Sequence, residues 1–493
     1  MSNSDSSINN ILKRLVEGSS LAFLSNILTK GLNFAFQILL GRYLGPTTYG
    51  WFTVGQSFLS ISKSVSLLGL HNSVTKFVSQ YYGTDDHEDI LGVLSLSVLI
   101  SGSVSFAISI LLVVRPTIVS VLIFNNPDLT QTIRILALLL PVYSLLQISK
   151  SFLQAVQYFS WMSISHLSIS VFEFLAVLLT IYLGLEYQML LWLIIIFSLV
   201  SLSIGATMVC VVVYRRISWS GINMAPRKTL RFGIPLFFSG IAFTLMSKVD
   251  VLLIEYYTLS ENVGIYNAAL MLSGLISLPL TGLNQAISPM ISDLYNRDEI
   301  NKLISTLQIS TRWISMIGLG SGLILFLFSE EIILLWGTDC LAGSIFLSIL
   351  VIPKAVNAVT GSSGFVLQMT GHQDLSFLNN IVSLIINIAL DIILIPRFGP
   401  IGAAVGTAIA LSLNNILCLI EVYWKVGLPM YDLSILRIFL STIIVFAIGY
   451  MLELLYIDWR SQLVVVFLLY LLFNIILMSD QDKEFLTKVV DRI

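Results

Sequence analysis

Charge is what this sequence has least of. Only 11% of its 493 residues are Asp, Glu, Lys or Arg, against roughly 25% in an ordinary soluble domain. A soluble chain this long would be unable to cover its surface with so few charges. That excludes a cytosolic enzyme and a disordered scaffold. The net charge of −2 leaves no basic footprint for DNA or RNA. Cysteine is scarce too. Cys210, Cys340 and Cys418 lie far apart, which excludes a disulfide framework and metal spacing, and all three read as small apolar filler. The four histidines, His71, His87, His166 and His372, show no ligand spacing. No Gly-x4-Gly-Lys-Ser/Thr run occurs, so nothing suggests ATP hydrolysis. The acidic run Asp85-Asp86-His87-Glu88-Asp89 reads as a solvated loop. Neither a metal nor a cofactor is expected.

Apolar residues, by contrast, make up 56% of the chain, and its mean hydropathy is +0.90. Such a chain belongs in a bilayer, where only helices or closed barrels satisfy every backbone polar group. A spanning helix needs about 20 apolar residues. Fourteen such segments are predicted, at roughly 20–42, 48–70, 90–113, 131–153, 162–184, 189–213, 233–256, 262–284, 305–328, 343–366, 375–396, 401–422, 435–456 and 460–478. The start, MSNSDSSINN followed by Lys13 and Arg14, runs into an apolar stretch without a small-residue cleavage site. It reads as a retained first helix. With the N-terminus cytoplasmic, 15 of the 26 Lys and Arg fall in inner segments and four in outer loops. That asymmetry predicts both termini inside.

The longest inner loop, 214–232, is basic and divides the chain. The reading is an N-lobe over 1–213, a basic cytoplasmic linker over 214–232 and a C-lobe over 233–422. Two further spans and a cytoplasmic tail occupy 423–493. The lobes look like copies. Tyr49-Gly50-Trp51-Phe52 parallels Val263-Gly264-Ile265-Tyr266 at an offset of 214. Leu153-Gln154 parallels Leu367-Gln368 at the same offset, and Gly184 parallels Gly399 at 215. Six spans per copy is an even number, so the copies share orientation. That is the parallel-repeat plan of some secondary transporters, with substrate held between lobes.

Polar residues inside the spans form stripes. Asn26, Lys30, Asn33 and Gln37 share one helix face, as do Thr53, Gln56, Ser60 and Lys63. Ser144, Gln147, Ser151 and Gln154 repeat the rhythm, as do Lys354, Asn357, Gly361 and Gln368, and then Asn380, Asn387 and Asp391. A single stripe is explained by interhelical hydrogen bonds. Five stripes drawn from both lobes point to a water-filled cavity. Ionisable residues at membrane depth face a cavity or a partner. The candidates are Lys30, Lys63, Lys248, Arg312 and Lys354, with Glu173, Asp250 and Asp391 on the acidic side. Arg134 and Lys150, at the ends of the fourth span, read as snorkelling cations. The carboxylates fit counter-ions, proton or cation sites, or structural partners equally well. Five cations against three carboxylates favour an anion, and Lys serves phosphate as a compact point charge.

Three motifs carry a family resemblance. Residues 41–50 read GRYLGPTTYG, a tight outer turn. Residues 248–267 read KVDVLLIEYYTLSENVGIYN, and residues 395–407 read IPRFGPIGAAVGT. The chain resembles, over essentially its whole length, the polysaccharide flippase family that exports O-antigen, teichoic acid and other repeat units. That family shares a superfamily with the lipid II flippase and the multidrug and toxin extruders. The resemblance implies an all-α integral membrane protein of about fourteen helices, with two six-helix lobes in a parallel pseudo-two-fold repeat plus a C-terminal pair. It implies a substrate of an oligosaccharide on a polyprenyl phosphate or diphosphate, flipped across the cytoplasmic membrane by alternating access. Basic cavity positions of the family map onto Lys30 and Lys63, and its acidic position in the seventh span onto Asp250. Glu255, where the family often has a small or apolar residue, departs from the pattern and is expected at the outer interface. A monomer is expected, with membrane lipid and other glycan-assembly proteins as partners. Two rivals stand beside this reading: a cation-coupled multidrug exporter of the same superfamily, and a membrane-embedded glycan-assembly enzyme.

Overall fold

The computed structural model describes residues 2–218, 221–476 and 478, and the side chains of all of these except 2–24, 285, 286 and 289. The expected cytoplasmic tail, with Lys483, Lys488 and Arg492, lies outside the described residues, as do the side chains of Lys13 and Arg14. The described chain forms eighteen α-helices, with short π and 3-10 turns between some of them. In chain order the first nine are α1 (Ser2–Leu67), α2 (Leu70–Tyr82), α3 (His87–Val114), α4 (Leu129–Ala137), α5 (Leu139–Ala155), α6 (Phe159–Leu183), α7 (Tyr187–Arg216), α8 (Pro226–Tyr257) and α9 (Ser260–Gly274). They are followed by α10 (Leu278–Asn296), α11 (Ile300–Leu327), α12 (Ser329–Ile333), α13 (Gly343–Thr360), α14 (Ser363–Met369), α15 (Gln373–Phe398), α16 (Pro400–Glu421), α17 (Ile435–Leu454) and α18 (Trp459–Ile476).

Among the described residues, twelve helical segments are long and apolar enough to cross a membrane. They carry the third to fourteenth expected spans. The first two expected spans fall on α1, which is not one of the twelve. The stripe residues from Asn26 to Lys63 lower its apolar content, which is the physical reason. α1 breaks at Gly45, whose φ of 75° lies in the left-handed region, directly before Pro46. Pro46 begins the second half, where a missing N–H costs nothing. That half keeps its hydroxyls satisfied within the helix: Thr53, Ser57, Ser60, Ser64 and Ser66 each donate to the carbonyl four residues back. So polar a helix tolerates apolar surroundings because few of its hydroxyls remain to be solvated.

Other helices show the arrangement expected of a membrane protein. On α3, Ser97, Ser101, Gly102, Ser105 and Ser109 are buried, while Leu99, Phe106, Ile110 and Leu111 point outward. Lipid is as apolar as Leu, so close packing of small residues, not hydrophobic burial, holds such helices together. On α11 the same logic places Gly318 against Ala358, Gly320 against the Tyr470 ring and Gly322 near Val351. Tyr470 then donates its hydroxyl to the Met316 carbonyl at 2.8 Å.

The chain divides into two compact units, Met1–Gly264 and Ile265–Ile493. The repeat-related helix ends share a glycine at positive φ but not a conformation: Gly184 closes α6 with φ 62° and ψ 36°, and Gly399 closes α15 with φ 61° and ψ −143°. Leu153 and Leu367 are both fully buried. Gly50 and Gly264 pack on each other directly. A methyl on Gly50 would overlap the Ser260 carbonyl and lie 3.3 Å from the Gly264 nitrogen. A methyl on Gly264 would overlap the Pro46 carbonyl and lie 3.1 Å from the Gly50 nitrogen. Pro46 and Ser260, like the two glycines, are 214 residues apart. The contact is therefore reciprocal, as a local two-fold axis requires.

Candidate functional site

Three helices of the first unit carry polar residues seven apart: Gln56 and Lys63 on α1, Tyr143 and Lys150 on α5, and His166 and Glu173 on α6. Seven residues are two helical turns, so each pair shares a face. The three faces converge. Tyr143 donates its hydroxyl to Glu173 Oε1 at 2.7 Å, and Gln56 and Ser198 lie near the same hydroxyl. Lys63 lies within electrostatic reach of Glu173. Its charge is also felt by His71, Lys150 and His166.

Beside Lys63 opens a cavity of about 280 Å³. Ser60, Ser64, His71, Gln147 and Thr244 line its polar side, and Leu67, Phe237 and Ile241 its apolar side. Ser64 and Thr244 share a hydrogen bond of 3.1 Å that ties α1 to α8. A water's share of the liquid is about 30 Å³, so the space suits several waters or a small ionic group. Lys63 lines this space, and the carboxylate within its electrostatic reach, Glu173, already accepts from Tyr143. A cation at membrane depth is costly unless paired, and two neighbouring cations add repulsion. An anion entering the cavity relieves both.

The other expected residues are distributed as follows. Lys30 is exposed on α1, with Asn26, Asn33 and Gln37 half-buried beside it. Lys248 is half-buried on α8 and Asp250 is buried two residues on. In the second unit, Lys354 is half-buried on α13, and Asn357 donates to Asn415 Oδ1 at 2.9 Å. Asp391 is fully buried on α15 against Gly406, one turn beyond Asn387, which reaches Thr407 Oγ1 at 3.5 Å.

Two residues depart from expectation. Arg312 was expected to line a cavity. It is instead only 4% exposed and ion-paired through Nη1 with Asp432, which sits in the segment between α16 and α17. Its charge is neutralised locally, as a buried guanidinium demands. Lys150, expected to snorkel, is half-buried on α5 within electrostatic reach of Lys63. Glu255 is 2% exposed and accepts hydrogen bonds from Asn126 and Ser260, both at 2.8 Å.

Tyr143, Lys150, His71 and His166 escaped the stripe reading. The fourth-span stripe was drawn through Ser144, Gln147 and Ser151. The face one residue over, Tyr143-Gln147-Lys150 at i, i+4 and i+7, is the one that meets Glu173. Its spacing was available in the sequence.

This frame, a helical membrane fold with a polar site among α1, α5, α6 and α8, defines a membrane transporter class. The chain matches the model of the family described as "Polysaccharide biosynthesis protein" over residues 15–295, and it belongs to that family. A second model, MatE, matches residues 235–393. The family is one of transporters and not of enzymes. Two curated relatives come from Haloferax volcanii. "Probable flippase AglR" is 31% identical over 177 residues, 35% of this chain and 37% of the relative. "Probable low-salt glycan biosynthesis flippase Agl15" is 27% identical over 180 residues, 36% of this chain and 38% of the relative. The matches thus span well under half the length of either relative. Among solved structures, "Lipid II flippase MurJ, inward closed conformation" superimposes with a TM-score of 0.74 at 16% identity, covering 94% of this chain and 99% of that one. An inward-facing multidrug MATE transporter follows at a TM-score of 0.71 and 15% identity, covering 82% and 98%. The fold is of the MATE and MurJ type.

Proposed function

We propose that this chain flips a lipid-linked oligosaccharide, carried on a polyprenyl phosphate or diphosphate, across the cytoplasmic membrane by alternating access. The observation that carries this reading is the cavity of about 280 Å³ that Lys63 lines, with a second cation, Lys150, within electrostatic reach of Lys63. Phosphate charge is screened by the lysines, while Gln56, Gln147 and the Ser and Thr hydroxyls replace water around sugar hydroxyls. Lys30 and Lys248, with Asn26, Asn33 and Gln37, extend the same chemistry in the first unit, and Lys354 and Asn357 offer it in the second. Arg312 is left out of that set because Asp432 holds it. Asp250 and Asp391 are the candidates for ion coupling, and Glu173 is the counter-ion of Lys63. The two halves of α1 add two spans to the twelve, giving fourteen, with both termini cytoplasmic and the monomer as the working unit. The product serves surface polysaccharide or glycoprotein assembly.

The rival reading as a drug exporter needs a site that attracts organic cations, and the lysine surplus disfavours it. The test is a deletion strain. Complete lipid-linked oligosaccharide is expected to accumulate on the cytoplasmic side while surface glycan falls, with both reversed by the intact gene but not by Lys63→Ala. An incomplete unit in the membrane would instead mark an assembly enzyme. Unchanged pools together with hypersensitivity to organic cations would mark the drug exporter.

A further inference from the structure

A second site lies at the start of α8. We infer that it holds the phosphate of an anionic membrane phospholipid, on the bilayer face where the chain concentrates its Lys and Arg. A cavity of about 620 Å³ is lined there by Ala225, Pro226, Arg227, Lys228, Arg231 and Phe232. None of these residues borders the cavity beside Lys63.

The helix start is built against its own dipole. An N-terminus carries partial positive charge and favours acidic residues and Ser, Thr, Asp or Asn caps. α8 has no acidic residue in its first turn, and its N-cap is Ala225, with no side-chain cap. Its opening turns carry Arg227, Lys228 and Arg231 instead. Among the described residues none of the three is in an ion pair. Asp89 is within electrostatic reach of Lys228 but accepts from Asn223 Nδ2 at 2.7 Å. Uncapped N–H groups and unneutralised cations at one helix start are the ingredients of an anion site.

The cations are also held in place. Lys228 donates to the Tyr81 hydroxyl at 2.8 Å and lies 5.1 Å from the Phe77 ring centre. Lys76 sits 4.0 Å over the Phe232 ring, and Phe232 meets Phe77 edge-on at 5.4 Å. Aromatic rings mixed with Lys and Arg are typical of the headgroup level of a bilayer.

The rest of α8 selects a lipid over free phosphate. Arg227, Arg231, Ile234 and Phe238 are spaced 4, 3 and 4, so they share one face. The two arginines are exposed, Ile234 is 44% exposed and Phe238 is 61% exposed. The face thus passes from cation to bare hydrocarbon within about three turns, matching a headgroup followed by its acyl chain. An inorganic anion has no use for the second half.

The test uses the purified full chain in mild detergent with mixed micelles of phosphatidylglycerol, phosphatidylcholine or neither. Bound lipid is counted by native mass spectrometry and thermal stability is followed in parallel. Wild type is expected to retain phosphatidylglycerol in preference to phosphatidylcholine. The double variant Arg227→Gln/Arg231→Gln should lose that retention at least fivefold. Should it fail to fold, Ala225→Asp serves in its place, because a carboxylate cap strengthens the helix start while repelling phosphate. It should melt no lower than wild type without lipid and still lose the retention. Equal retention of both lipids, or undiminished phosphatidylglycerol on a folded variant, would overturn the inference. So would inorganic phosphate raising the melting temperature as much as phosphatidylglycerol does, since the site would then serve a free anion. The readout is lipid binding, so it stands apart from whichever substrate the chain transports.

Discussion

The two units handle buried charge in opposite ways. In Ile265–Ile493 the buried guanidinium of Arg312 is clamped by Asp432. In Met1–Gly264, Lys63 lines an open cavity, with Glu173 and a second cation, Lys150, within its electrostatic reach. A paired charge is scaffolding, because it gives up its field to its partner. A surplus charge next to space keeps its field for a visitor. The contrast makes the second unit's ion pair a structural element and makes Lys63 the residue through which anion binding in the first unit is tested.

The sharpest way to break that contrast is Arg312→Ala. Removing the buried guanidinium takes away a charge-assisted hydrogen bond to the part-exposed Asp432, so stability should fall by about 1.5–3 kcal/mol. Thermal unfolding in detergent checks this. Arg312→Met combined with Asp432→Leu should recover most of the loss, because the pair serves structure. A melting temperature unchanged in the single variant would remove the distinction between the units. Next in size is Gly50→Ala. It forces a methyl into the Ser260 carbonyl, and overpacking of this kind costs roughly 1–3 kcal/mol. Gly264→Ala should cost a similar amount, because the contact is reciprocal. Markedly unequal losses in melting temperature would count against the local two-fold.

Lys63→Ala should leave melting nearly unchanged but lower export about tenfold, equivalent to about 1.4 kcal/mol. Surface glycan in the complemented deletion strain is the readout. Export at the wild-type rate would transfer the functional role away from this cavity. The smallest effect is expected for Cys210→Ser. Cys210 is exposed, and surface changes away from special features stay within about 0.5 kcal/mol. A well-expressed but inactive Cys210→Ser protein would show a role that neither unit's chemistry explains.

Much of this was legible in the sequence, and what was not has a physical cause. Apolar runs located the twelve candidate spans because lipid imposes length and composition directly. The close approach at Gly50 and Gly264 was legible as a matched Gly pair, since only glycine lets two backbones approach so closely. Lys63 was legible because its stripe is periodic within one helix. The Arg312–Asp432 pair was not, because its members are 120 residues apart and no local period links them. Lys150 was misread for a related reason. Position along a span suggests depth, but the direction a long side chain takes is set by neighbouring helices.

The crossing of Gly50 and Gly264 has a mechanical side. Backbone meets backbone at the two glycines, while Tyr49, Phe52, Val263 and Tyr266 around them are buried, so the joint is a rivet and not a hinge. Glu255, which accepts from Asn126 and Ser260, adds a polar tie beside it.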